Sequence, residues 1–336
     1  ESVSYWIKTM SHPNTTTTHE SSPRQHKIGL ALGSGSARGW AHIGIIQELE
    51  SMGIRPDIVC GTSIGALVGA AYVSGNLENL EKWVLSLTKI QTARFFEINR
   101  TFSGFVNTDR LHRFLNKHLC DDDLQISDCE QIFAAVATEL HSGREVWLRD
   151  GPLLDAVWAS ISLPGLFPAI RYNHHWLVDG GLVNPVPVSV CRALDADIVI
   201  AVNLNDSISG QYLDAEVKPE RKQKASADKN HADAPVSLLD KVRNYTAALF
   251  QSNDSISSPG LFDAIAASIN IVHDRITRSR MAGDPPDLVL APRLQDVALL
   301  EFYRAKQGIE EGRRCVRQQQ RRIHELCAVN AIDCEQ

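Results

Sequence analysis

Apolar positions begin abruptly near residue 27. Residues 1–26 are polar and rich in Thr, Ser and His, with a threonine run at 15–18; they read as a disordered tail or an expression remnant. The run Ile28-Gly29-Leu30-Ala31-Leu32 has the length and continuity of a buried strand. From Trp40 onward, Ile43, Ile46 and Leu49 fall at helical spacing, and Met52-Gly53 closes that helix. A second strand is expected at 57–60 and a second helix, built of small residues, at 66–74. Strand, helix, strand, helix in about 50 residues predicts a right-handed βαβα unit, hence an α/β protein with a mainly parallel sheet.

The pattern predicts further strands at 133–138, 145–148, 176–178, 197–202 and 288–291, and helices at 77–87, 109–119, 153–160, 187–194, 263–280 and 297–327. Between 206 and 260 the apolar periodicity fades, and 216–233 is a Lys/Glu/Ala/Ser mixture that reads as a mobile insertion. Removing it and the tail leaves a single domain over 27–330.

Composition then narrows the function. Lys plus Arg is 34 and Asp plus Glu is 40, a net charge of −6, which argues against a dedicated nucleic-acid binder. No apolar run approaches the ~18 residues of a membrane-spanning helix. Seven cysteines without a C-x-x-C pair make neither a disulfide framework nor a zinc site, so a reducing, cytoplasmic setting is expected, and the first 30 residues lack the regions of a signal peptide. No metal or other cofactor is implied.

Two glycine-rich turns carry candidate chemistry. Gly61-Thr62-Ser63-Ile64-Gly65, between a strand and a helix, has the form of a nucleophile elbow. Side chains two residues either side of the serine would collide where strand and helix nearly touch, and the helix N-terminus behind it favours developing negative charge. A tight connection without chemistry is the alternative. Gly33-Ser34-Gly35-Ser36-Ala37-Arg38-Gly39 also leaves a strand and opens a helix, so its amides could face an anion. A dinucleotide loop competes, but its third glycine would come one residue earlier, and the acid about 20 residues on is missing. Among partners for Ser63, the histidines at 112, 118 and 273 fit helix surfaces, and His174-His175 is a minor candidate. Asp179, leaving a short strand onto Gly180-Gly181, is the better one, although an Asp-Gly turn alone would explain it.

In this order and spacing, with Ala159-Ser160-Ile161-Ser162-Leu163-Pro164-Gly165-Leu166-Phe167-Pro168 between them, these blocks resemble the patatin-like phospholipases, nearest their bacterial RssA-like branch. The resemblance spans 27 to about 205 and resumes near 263–326. It implies a three-layer α/β/α patatin-like fold and a serine acyl hydrolase acting on lipid or other carboxylic esters. Ser63 would be the nucleophile and Asp179 its only side-chain partner. Gly33, Gly35, Ser36 and Arg38 would form the oxyanion loop, supported by Gly61, Gly65, Pro164, Gly180 and Gly181. Ser34 departs from the run of three glycines that many members have. Arg38 either faces substrate or holds the loop; loop-holding is favoured. Trp40, His42 and the apolar set of the first helix are read as packing, Ser160 and Ser162 as supports of the 164–168 turn, and Cys60 as buried and inert. A regulatory or scaffold protein of low turnover is the alternative function.

The last expected helix has a heptad-spaced set, Phe302, Ile309, Val316 and Ile323, and between 301 and 326 seven Lys/Arg face four Glu. An apolar stripe packed on the core is the simpler reading. Docking on an anionic membrane or pairing with a second copy, as a peripheral protein or homo-oligomer, are the others.

Overall fold

The computed structural model describes residues 26–95, 115–116, 119–206 and 261–332. The tail, nearly all of the expected helix at 109–119, and the expected insertion at 206–260 lie outside the described residues, apart from Asp206.

Eight strands form one sheet in the order β5-β6-β3-β2-β1-β7-β8, with β4 also on β3. β1 (Ile28–Leu32), β2 (Ile58–Thr62), β3 (Ile132–Glu139), β7 (Ile198–Val202) and β8 (Leu288–Leu290) run parallel. β4 (Glu145–Leu148), β5 (Ile170–Tyr172) and β6 (His175–Asp179) form the antiparallel part. The expected mainly parallel α/β sheet is present. β5, three residues long, was not anticipated, because its Ile170-Arg171-Tyr172 run is too short to show alternation.

β1 and β2 are buried along nearly their whole length, as parallel strands covered on both faces must be. One layer holds α1 (Ala41–Ser51), α2 (Ile64–Val73), α3 (Leu77–Ser86), α4 (Lys89–Phe95) and α5 (Leu153–Ile161). Opposite, α6 (Val188–Ala193) covers a smaller apolar cluster with Ala31, Ile58, Cys60 and Val199. Cys60 is buried there beside Cys191, and burial raises its thiol pKa well above the ordinary value. The long helix α7 (Leu261–Gly283) precedes β8.

The single helix expected at 297–327 is divided. A turn and a short 3-10 segment (Phe302–Arg304) precede α8 (Ala305–Gln318), and a break at Gln319 separates it from α9 (Gln320–Ile332). No glycine or proline marks that break in the Gln318-Gln319-Gln320 run, so it left no sequence signal. The stripe itself is turned inward: Ile309, Val316 and Ile323 are buried, and Phe302 packs on the same core. α8 lies tightly on α1 because Gly44 and Gly312 bring the backbones together; a Cβ on either would run into the facing main chain. Arg313 reaches Gln47 and Glu81, and Arg317 forms a bidentate pair with Glu48, so part of the basic face is engaged within the molecule.

Candidate active site

β3 changes neighbour halfway along. Its residues up to Val136 pair with β2, and from Ala137 they pair with β6, while β4 spans the change and must occupy the other edge. β2 and β6 therefore approach end to end along the same edge of β3. Thr62 lies opposite Val136 and Asp179 opposite Ala137, which brings the residue after β2 against the last residue of β6.

That juxtaposition makes the central contact. Ser63 Oγ donates to Asp179 Oδ2 at 2.5 Å, across 116 residues of sequence. Ser63 has φ 57° and ψ −123°, a backbone region that non-glycine residues rarely occupy. The strain is held by its surroundings: Ser63 N–H donates to Ser160 Oγ at 2.9 Å, and Ser160 donates on to Val136 O at 2.6 Å. Thr62 Oγ1 also donates to Asn184 O. Gly61 is required sterically, since a Cβ there would come within 2.5 Å of Ala66 Cα. Ser160 thus supports the elbow rather than the 164–168 turn, where the sequence suggested it; Ser162 accepts Asp179 N–H through its carbonyl at 2.9 Å.

Asp179 is buried, and its other oxygen, Oδ1, accepts Gly181 N–H at 2.7 Å. Thr138 Oγ1 donates to its carbonyl. Burial pushes its pKa up from 3.8 to about 6, against the opposing pull of the Ser63 and Gly181 hydrogen bonds. Gly180 sits over the backbone of Val136, leaving no room for a side chain.

The glycine-rich loop lies alongside. Four of its amides are engaged: Gly33 N–H donates to Val202 O and Ser34 N–H to Pro185 O. Ala37 and Arg38 N–H donate to Leu299 O and Gly35 O. Among the described residues, the amides of Gly35 and Ser36 meet no acceptor, and both residues line the cavity at Ser63. Ser36 Oγ donates to Leu299 O at 2.6 Å. The Arg38 guanidinium, 2% exposed, donates to Gly35 O and to Asn270 Oδ1 at 2.8 Å; burial lowers its pKa to about 10. It holds the loop from behind. His42 is buried as expected, with Nε2 at 2.8 Å from Gly33 O, and burial lowers its pKa to about 4.

Two residues of α7 join the site without having been singled out as part of it. His273 was expected on a helix surface, yet it is 6% exposed, with Nδ1 at 3.2 Å from Ser34 Oγ. Asn270 lies one turn earlier. With buried Thr277 they form an i, i+3, i+7 polar stripe, which in the sequence looks like a solvated face. The His174-His175 pair, by contrast, is exposed at the start of β6, whose first residue is His175.

The cavity, about 110 Å³, has a polar end at Ser34, Ser36, Ser63, Asp179, Asn270 and His273. The remainder is mostly apolar: Trp40, Ile64, Leu67, Trp83, Leu87, Ile161, Leu299 and Phe302 line it, with Leu163, Leu166 and Phe167 from the loop containing exposed Pro164. Such a lining, apolar apart from a few hydroxyl, amide, imidazole and carboxylate groups, suits an acyl chain rather than a sugar or nucleotide. Among the described residues, no helix is long and apolar enough to cross a membrane.

Residues 30–192 match the family model described as patatin-like phospholipase. An NTE family protein of Mycobacterium bovis is 31% identical over 329 residues, covering 87% of this chain and 90% of that one. Patatin-like phospholipase domain-containing protein 6 of Mus musculus is 31% identical over 207 residues, or 55% of this chain and 15% of that protein. A patatin-like phospholipase domain-containing protein of Caenorhabditis elegans is 33% identical over 214 residues, with the same shares.

Proposed function

The chain belongs to the patatin-like phospholipase family, and from that premise we propose that it is a carboxylic ester hydrolase that cleaves fatty-acyl esters of lipids through a Ser63–Asp179 dyad. The observation that carries this reading is the 2.5 Å hydrogen bond from Ser63 to a buried carboxylate in the lining of a mostly apolar cavity.

An exposed aspartate near pKa 3.9 is a weak base toward a serine hydroxyl. Raised to about 6, Asp179 remains mostly ionised at pH 7 while holding a proton more firmly. Asp179 takes the Ser63 proton as Oγ attacks the ester carbonyl. The tetrahedral oxyanion lies against the Gly35 and Ser36 amides, the two unengaged donors of the loop, with the α2 N-terminus behind Ser63. The proton on Asp179 passes to the departing alkoxide, leaving an acyl-Ser63 ester. Water then attacks that ester, giving its proton to Asp179, which returns it to Ser63 Oγ as the fatty acid leaves. No second side-chain base takes part.

The test is fatty-acid release from lysophospholipid, phospholipid and neutral ester by wild type and Ser63→Ala. Release from at least one class, lost in the variant, is expected. Equal release by both proteins would refute the assignment.

A further inference from the structure

We infer that His273 is a positioning residue, which, if the chain is the serine hydrolase proposed above, sets the oxyanion loop in register with the Asp179 turn. The two unengaged amides, Gly35 and Ser36, are bracketed by Ser34 and Arg38. Both of these side chains are held by α7, Ser34 by His273 and Arg38 by Asn270 one turn away. Backbone bonds to Val202, Pro185 and Leu299 tie the loop to the rest of the sheet edge. Through its side chain, His273 also touches the other half of the site. Its ring edge packs on Gly181, where a Cβ would come within 2.6 Å of Nε2, and Gly181 N–H is the donor to Asp179 Oδ1.

One imidazole therefore spans the gap between the oxyanion donors and the base. Its Nε2 meets no hydrogen-bond partner among the described residues, so its polar contact with the loop passes through Ser34. Burial and the nearby Arg38 lower its pKa to about 4, which keeps the ring neutral across ordinary pH. Ser34 supplies the hydroxyl that this arrangement needs. Loop placement matters because oxyanion donors act only within a few tenths of an ångström of the developing charge.

The experiment compares wild type, His273→Ala, His273→Asn, Ser34→Ala and the His273→Ala/Ser34→Ala double variant. The readouts are kcat and KM on a p-nitrophenyl ester, the second-order rate of fluorophosphonate labelling at Ser63, and thermal unfolding. Each single alanine variant should lose roughly 10- to 30-fold in both kcat and labelling rate, with KM within about twofold, and the double variant should lose no more than the worse single one. His273→Asn keeps a polar group near Nδ1 and should recover part of the loss. A purely structural histidine would lower the unfolding temperature and leave the kcat of folded protein unchanged, which would overturn the inference, as would additive losses in the double variant. If His273→Ala does not fold, Ser34→Ala removes the same hydrogen bond from the other end and decides alone. A wild type that neither labels nor hydrolyses overturns the function and this inference together; a wild type that does both, matched by the variants, overturns this inference only.

Discussion

Two glycine-rich turns leave adjacent parallel strands of this sheet, and they present opposite parts of the chain. After β2, the turn at 61–65 forces Ser63 into strained backbone geometry and aims a side chain at the cavity. After β1, the turn at 33–39 buries or engages most of its side chains and, among the described residues, leaves two backbone amides without an acceptor, on residues that line the same cavity. Each opens a helical segment, so topology alone does not separate them. What differs is where the constraint comes from. The elbow is set partly by its own neighbours, through steric contact of Gly61 with α2, and partly by Ser160, 97 residues along the chain. The other loop is set from far along the chain, by Asn270, His273 and Leu299. Under the proposed function one turn would supply the nucleophile and the other the charge stabilisation; losing the first should be nearly total, and disturbing the second graded.

The largest effect belongs to the elbow. Ser63→Ala should lower kcat by at least about 1,000-fold without loss of folding, as steady-state hydrolysis and circular dichroism would register. Hydrolysis that survives would mean that the elbow is only a connection. Asp179→Asn should cost on the order of 1,000-fold as well, with an added stability signature. Because burial raises the carboxyl from 3.8 to about 6, the folded state binds that proton more tightly than the unfolded chain does. The resulting stabilisation is full below about pH 4 and lost as pH rises through 6; above that, keeping the charge costs on the order of 3 kcal/mol. Asp179→Asn should therefore melt at or above the wild-type temperature at pH 8, and lose that advantage near pH 4. Melting well below wild type at pH 8 would contradict a desolvated carboxylate.

A third effect follows from the same group. With Asp179 as the proposed base, activity would need it ionised, so kcat/KM should be flat above pH 7 and fall about tenfold per pH unit below an apparent pKa near 6. A profile unchanged down to pH 4.5 would assign the base elsewhere. The smallest effect tests the second turn. Arg38→Met removes a buried guanidinium held by Gly35 O and Asn270, and should lower kcat about tenfold with little loss of stability, since no carboxylate is left unpaired. A loss as large as that of Ser63→Ala would remove the distinction between the turns.

The same contrast explains what could be read from the sequence. The elbow, the Asp179-Gly180-Gly181 turn and the strands around them follow from local sterics and continuous apolar runs, and 145–148 was placed with its observed bounds. The partner change on β3 between Val136 and Ala137, which brings Ser63 to Asp179, depends on pairing between distant segments and leaves no periodic trace. His273 was read as a surface residue because a polar stripe on a helix has the same spacing whether it faces water or a buried polar site. Of the oxyanion loop, the glycines were legible; which two amides stay unengaged depended on Val202, Pro185 and Leu299, far away in the chain.

The most direct test of the account is covalent labelling with a fluorophosphonate, followed by mass mapping of wild type, Ser63→Ala and Asp179→Asn. The account predicts a single adduct on the peptide carrying Ser63 in wild type, none in Ser63→Ala, and strongly slowed labelling in Asp179→Asn. An adduct that persists in Ser63→Ala, or a wild-type protein that takes none, would contradict it.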